Sequence, residues 1–89
     1  MEHTIYSKSL ELLTRAKKVL AGGVSSEFRK YNHPHAIFYT HGEGARVFDV
    51  DGNAYLDFTL SQGPLILGHS HPHVLKSVSE YSAKGQLFA

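Results

Sequence analysis

The chain has 89 residues, a formal net charge of +1, 42% hydrophobic and 19% charged residues, and no cysteine. That length allows one small domain or part of one, and the composition makes neither a disordered tail nor a membrane span the default. Interspersed charges leave no basic footprint for nucleic acid or anionic lipid, and the lack of cysteine excludes a disulfide framework or a thiolate metal site.

The opening stretch MEHTIYSKSLELL lacks the basic start and continuous apolar run of a secretory signal, so a cytoplasmic chain is expected. Leu10, Leu12, Leu13, Ala16, Val19 and Leu20 then recur at spacings of three and four, which predicts a one-faced helix over 7–20. Ser7 is placed to cap it, Arg15, Lys17 and Lys18 suit the negative end of its dipole, and Gly22-Gly23 is placed to end it. Residues 1–23 form this first unit.

Residues 24–35, VSSEFRKYNHPH, have no sustained period and read as an irregular connection, the kind of segment that carries function. Its polar candidates are Ser25, Ser26 and Arg29, whose planar guanidinium matches a carboxylate or a phosphate. A lone loop arginine is more often only a solvated charge. Three β-prone runs follow at 36–40, 45–50 and 54–60, which predicts a small three-stranded antiparallel meander over 36–60. His41-Gly42-Glu43-Gly44 and Asp51-Gly52-Asn53 separate the runs, and Asp-Gly favours a two-residue hairpin turn.

The stretch SQGPLILGHSHPHV predicts a bend over 61–71, with Gly63 and Gly68 supplying freedom and Pro72 opening a second helix over 72–85. Val74, Leu75, Val78 and Tyr81 give that helix an apolar stripe. Leu87, Phe88 and Ala89 are apolar with no terminating signal, so the chain is expected to continue into another element.

Two metal readings fail on spacing. In DVDGNAYLD, counting from Asp49, the glycine comes fourth and Leu60 stands twelfth, whereas a calcium loop needs glycine sixth and glutamate twelfth. A hairpin with solvated or mutually bonded acids is the better account of Asp49, Asp51, Asn53 and Asp57. His69, His71 and His73 alternate, while Pro72 starts a helix among them, so they are expected to cap a helix and bond a tight turn rather than hold zinc.

Three strings stand in a telling order: RAKKVLAGGVSSEFR, GARVFDVDGNAYLDF and SQGPLILGHSHPHV. Together they resemble the amino-terminal region of class III aminotransferases, which depend on pyridoxal phosphate, and look most like the glutamate-1-semialdehyde 2,1-aminomutase branch. The resemblance runs from about Leu10 to Phe88. It implies an α+β segment of helix, antiparallel meander and helix within an α/β, fold type I enzyme several times longer, dimeric, with active sites built from both subunits.

By that resemblance the arginine after the GGV loop binds the substrate carboxylate, which assigns Arg29, and the serine three before it lines the same pocket, which assigns Ser26. Gln62 stands where the aminomutases usually carry a tryptophan. It can hydrogen-bond but not stack, which leaves room for aminotransferases acting on β- or D-amino acids. In the family the Schiff-base lysine, the aspartate facing the pyridinium nitrogen and the phosphate loop all lie beyond this segment. Lys8, Lys17, Lys18, Lys30, Lys76 and Lys84 sit in other contexts.

The resemblance therefore implies no catalytic residue and no cofactor or metal ligand here. It implies instead a contribution to recognition of a small amino-acid or amino-aldehyde substrate, with the remainder of the chain and a second subunit as partners. The alternative is a complete non-catalytic module that docks on a full-length aminotransferase. A third reading, a histidine metal chaperone, requires stoichiometric metal binding and is not expected to hold. With apolar helix faces and a sheet too small to cover them, the isolated chain is expected to be unstable or self-associating.

Overall fold

A computed structural model of the chain describes residues 5–86. Its regular elements are α1 (Ser7–Ala16), β1 (Tyr39–Glu43), β2 (Arg46–Asp49), β3 (Ala54–Leu56) and α2 (Pro72–Ser82), with short 3-10 turns at Ala21–Gly23 and Glu27–Tyr31. The strands pair antiparallel in the order β1-β2-β3, so helix, meander and helix follow one another as expected. Leu87 to Ala89, on which continuation of the chain was argued, lie outside the described residues.

α1 buries one stripe, Ser9, Leu13 and Ala16, spaced four and three apart as a single helix face requires. It ends four residues earlier than the apolar pattern extends, and Val19 and Leu20 stand exposed in the turns beyond it. Gly22 and Gly23 turn the chain with φ of 69° and 76°. Gly23 is buried, and a Cβ there would lie 2.8 Å from Lys17 Cγ and 3.0 Å from Leu13 Cδ1, so glycine also permits the close approach.

Ser7 does not cap α1. The residue before the helix is Tyr6, which makes no side-chain cap bond. The cap comes from the sheet: Asp51 Oδ1 accepts the Lys8 N–H at 2.8 Å and Asp51 Oδ2 accepts the Ser9 N–H at 3.0 Å. Asn53 Nδ2 donates to the Ile5 carbonyl at 2.7 Å, and the fully buried Ser9 hydroxyl accepts from Phe38 N–H at 3.1 Å. The helix is docked by its amino-terminal end onto the β2-β3 hairpin.

That hairpin is not the two-residue turn that Asp-Gly predicts. Asp49 N–H donates to Asn53 O, and Gly52 N–H donates to Asp49 O, so three residues form the loop and Gly52, at φ 86°, closes it as a left-handed bulge position. Asp49, only 2% exposed, governs the loop. Its carboxylate accepts Asp51 N–H, Asn53 N–H, Asn53 Nδ2 and the Tyr55 hydroxyl at 2.7 to 3.0 Å. Of the expected acid hairpin, Asp49 is bonded within the loop, whereas Asp51 faces the helix.

β1 begins three residues later than the pattern places it and runs through Gly42 to Glu43, leaving Gly44-Ala45 as the turn to β2. Gly42 is a strand glycine that permits close approach rather than a turn signal: a Cβ there would lie 2.5 Å from His69 Cγ. Cross-strand packing adds His41 stacked on Phe48 at 4.4 Å and Tyr39 edge-on to Tyr55 at 6.0 Å. In β3 and just beyond, Tyr55 and Asp57 turn inward while Leu56 and Phe58 point out.

α2 opens with Pro72 at its first position, and its preceding residue His71 accepts the His73 N–H on Nδ1 at 3.2 Å. None of its residues is buried. The whole chain spreads over 43 × 33 × 19 Å with a radius of gyration of 15.9 Å, against about 12 Å for a closed domain of this length. Its accessible surface of 7467 Å² likewise exceeds the roughly 5200 Å² of a monomer of its mass. The fold is extended and leaves many large apolar side chains exposed among the described residues. No helix among the described residues is long and apolar enough to cross a membrane.

Candidate functional site

Ser26 has extended backbone angles and immediately precedes the Glu27–Tyr31 turn, where its carbonyl accepts the Arg29 N–H at 3.1 Å. That bond fixes the two residues' relative position. Within the turn Glu27 draws Lys30 Nζ to 3.9 Å and accepts the Tyr31 hydroxyl at 3.5 Å. Arg29 is exposed and makes no ion pair among the described residues. Neither Ser26 nor Arg29 makes a side-chain hydrogen bond among the described residues.

Near the same turn, the Tyr39 hydroxyl titrates above its ordinary range. Partial burial is the main cause, and the charges of Asp49 and Asp57 add to it while the Arg29 guanidinium pulls the other way. Tyr55 is raised for related reasons: burial first, then its hydrogen bond to Asp49. Burial alone would raise Asp49, but the bonds from Tyr55, Asn53 and the loop N–H groups outweigh it and hold the carboxyl below its usual range.

Gln62 sits on a different kind of support. Leu60, Ser61 and Gln62 all adopt left-handed backbone, at φ 52°, 52° and 70°, although none is glycine. Each such residue costs roughly 1–2 kcal/mol relative to the right-handed form. A run of three persists only where surrounding bonds over-determine it, and such segments cluster at ligand-binding sites. Gln62 N–H donates to Thr59 O, and both Gly63 and Leu65 N–H donate to Leu60 O. The Gln62 side chain is exposed and has no hydrogen-bond partner among the described residues.

Asp57 holds the start of this turn. Its Oδ1 accepts Thr59 N–H at 2.8 Å and Leu60 N–H at 3.1 Å, while Oδ2 meets His69 Nε2 at 2.6 Å. Both side chains are largely buried, 11% and 17% exposed. The bond from His69 is the main reason that the Asp57 carboxyl titrates below its usual range, with the Leu60 N–H next. His69 in turn exchanges backbone bonds with Gly44 at 2.8 and 3.0 Å, and Ser70 Oγ donates to Gly42 O at 2.7 Å. Of the three alternating histidines, His71 caps α2, His69 is a tie to the sheet, and His73 is exposed. No group of three potential metal ligands converges among the described residues.

Cavities open on the surface among the described residues. One of about 310 Å³ is lined by residues including Leu13, Lys17, Val24, Lys30 and His35. Another, about 230 Å³ and mainly apolar, lies between the 64–71 stretch and Val74 and Leu75 of α2. Neither includes Ser26, Arg29 or Gln62, and no hydrogen bond joins Gln62 to the Ser26–Arg29 turn.

Comparison with known proteins places this arrangement. The family model for class III aminotransferases matches residues 28–89. The chain belongs to that family. A glutamate-1-semialdehyde 2,1-aminomutase 2 from Listeria monocytogenes is 49% identical over 86 residues, which are 94% of this chain and 20% of that protein. One from Syntrophomonas wolfei is 45% identical over 91% of this chain and 19% of its own length. This class III chain thus spans about a fifth of the curated relatives it matches.

Among solved structures, a transaminase with pyridoxal phosphate bound superposes with a TM-score of 0.84 at 36% identity, covering 98% of this chain and 20% of that one. An omega-transaminase from Sphaerobacter thermophilus gives 0.78 at 35%, covering 90% and 18%. A glutamate-1-semialdehyde aminomutase from Pseudomonas aeruginosa gives 0.81 at 21% over 93% of this chain and 18% of its own, a likeness of fold. The class III segment thus superposes on about a fifth of each of these structures.

All six lysines are exposed among the described residues. The Asp57–His69 tie escaped sequence reading because twelve residues separate the partners and neither carries a local signal.

Proposed function

We propose that this chain is the amino-terminal part of a pyridoxal-phosphate-dependent class III enzyme. Its reaction is either transamination of an amino acid or the 2,1-amino shift of glutamate-1-semialdehyde. The segment contributes recognition of the substrate carboxylate and is inactive alone. The Schiff-base lysine and cofactor contacts belong to the remainder of the chain, and the complete enzyme is a cytoplasmic homodimer. Residues 24–35 are its substrate loop, and the sheet of 36–60 and the bend of 61–71 support it.

The observation that carries this reading is the Arg29 guanidinium, unpaired among the described residues, on a turn whose backbone is fixed to Ser26. Glu27, the acid nearest in sequence, is engaged with Lys30 and Tyr31. A free planar fork on a fixed turn is suited to a bidentate bond with a carboxylate, which orients the substrate before reaction. Ser26 adds a hydroxyl beside it, and Gln62 adds an amide able to donate and accept. Bound pyridoxal phosphate supplies the electron sink for the carbon bearing the amino group.

The test uses the full-length enzyme. Bound pyridoxal phosphate should give visible absorbance, and its absence refutes the cofactor assignment. Arg29→Ala should raise KM for a carboxylate substrate by about 10- to 100-fold, with Arg29→Lys recovering only part of the loss. An unchanged KM removes Arg29 from the site.

A further inference from the structure

The side chain of Gln62, like those of Ser26 and Arg29, bonds nothing among the described residues. Its backbone, however, ends a short series of bonds that starts at a buried pair. Asp57 Oδ1 takes the N–H groups of Thr59 and Leu60, Thr59 O then accepts the Gln62 N–H, and Leu60 O accepts those of Gly63 and Leu65. The three left-handed residues lie wholly between these attachments.

The other Asp57 oxygen is held by His69 Nε2 at 2.6 Å, and His69 is itself immobilised on the sheet. Its backbone pairs with Gly44, its ring lies where a Gly42 side chain would be, and neighbouring Ser70 donates to Gly42 O. The position of Gln62 is thus referred to the β1-β2 hairpin through two side chains. A turn with three non-glycine left-handed residues relaxes readily once such a restraint is removed.

We propose that Asp57 and His69 are positioning residues that hold Gln62 in the geometry with which it contacts substrate. This rests on the reading of Gln62 as a pocket residue. It predicts that Asp57 matters to substrate handling through Gln62, and not merely to stability.

The experiment is a double-mutant cycle in the full-length holoenzyme, with kcat and KM measured for glutamate-1-semialdehyde. β-Alanine with pyruvate serves where the semialdehyde is not turned over. Asp57→Ala should lower kcat/KM by about 10- to 100-fold when Gln62 is present. In a Gln62→Ala background the same substitution should change it by no more than about twofold. Asp57→Asn, which keeps an acceptor for Thr59 and Leu60 and can donate to neutral His69, should restore most of the activity.

If Asp57→Ala does not fold, His69→Ala is read in the same cycle, with His69→Gln as the conservative variant. Equal losses in both backgrounds overturn the proposal, because the pair would then act on the fold and not on Gln62. So does an unchanged kcat/KM in Gln62→Ala while Arg29→Ala remains defective, an outcome that leaves the carboxylate reading standing. Failure of both Gln62→Ala and Arg29→Ala to alter kcat/KM overturns the two together.

Discussion

Asp51 closes the amino-terminal end of α1 from 42 residues away in sequence, its Oδ2 accepting the Ser9 N–H at 3.0 Å while Oδ1 accepts that of Lys8. A helix leaves its first N–H groups unsatisfied, and here they are met by the hairpin to which the helix must dock. Asp51→Ala should therefore destabilise the full-length protein by about 1–2 kcal/mol, the upper range for loss of a helix cap. Asp51→Asn should cost less, because one amide oxygen remains as acceptor. Urea unfolding with unchanged slope checks both, and a neutral Asp51→Ala refutes the cap.

Asp49 should be the more damaging site. Its removal strands the Tyr55 hydroxyl and three N–H donors around a carboxylate only 2% exposed. Asp49→Ala is expected to cost about 3 kcal/mol or more, and Tyr55→Phe about 1 kcal/mol. Because the folded carboxyl titrates below its ordinary value of about 3.9, its contribution is fully present above that value and is lost as pH falls through the folded pKa. Acid unfolding of Asp49→Asn should accordingly lose the steep part of that dependence. An acid limb as steep as that of the parent protein contradicts this.

These two carboxylates show where sequence reading reaches and where it stops. Element type and order were legible because period three-to-four and period two are local properties, and Pro72 marks a helix start by its fixed φ. The β1 boundary was not, since Gly42 reads locally as a turn residue and only the approach of His69 makes it a strand residue. Nor was the α1 cap, which is a long-range bond to Asp51. At the candidate site, Ser26 and Arg29 were assigned through the resemblance that three ordered strings carry. The Asp57–His69 bond and the left-handed backbone at Leu60 to Gln62 were not legible, because ordinary residues there are held by bonds that only the folded chain makes.

Tyr55 gives a prediction at the other end of the pH scale. Its folded pKa lies above the ordinary value of about 10, because burial and the Asp49 carboxylate both oppose a phenolate. The stability it contributes is fully present below that ordinary value and is lost as pH rises through the folded pKa. In an alkaline titration followed by phenolate absorbance, Tyr39 should ionise above the ordinary range and Tyr55 should form the last component, together with unfolding. Tyr55→Phe should remove that late component and leave the earlier ones. Persistence of the late component in Tyr55→Phe assigns it elsewhere and refutes the Tyr55–Asp49 account.

The exposed apolar residues of α2 yield the last prediction. Val74, Leu75, Val78 and Tyr81 stand exposed along α2, and Phe58 is 90% exposed beside the sheet. Exposed apolar patches of this kind associate unless another surface covers them. The isolated 89-residue chain should therefore sediment as a concentration-dependent mixture of oligomers, and Val78→Lys should shift it toward monomer by placing a charge at the centre of the stripe. In the full-length enzyme, where the larger architecture is present, the same substitution should reduce stability instead, by about 1–3 kcal/mol, because the charge is then buried without a partner. A sharp, concentration-independent unfolding of an isolated monomer would refute this account of α2.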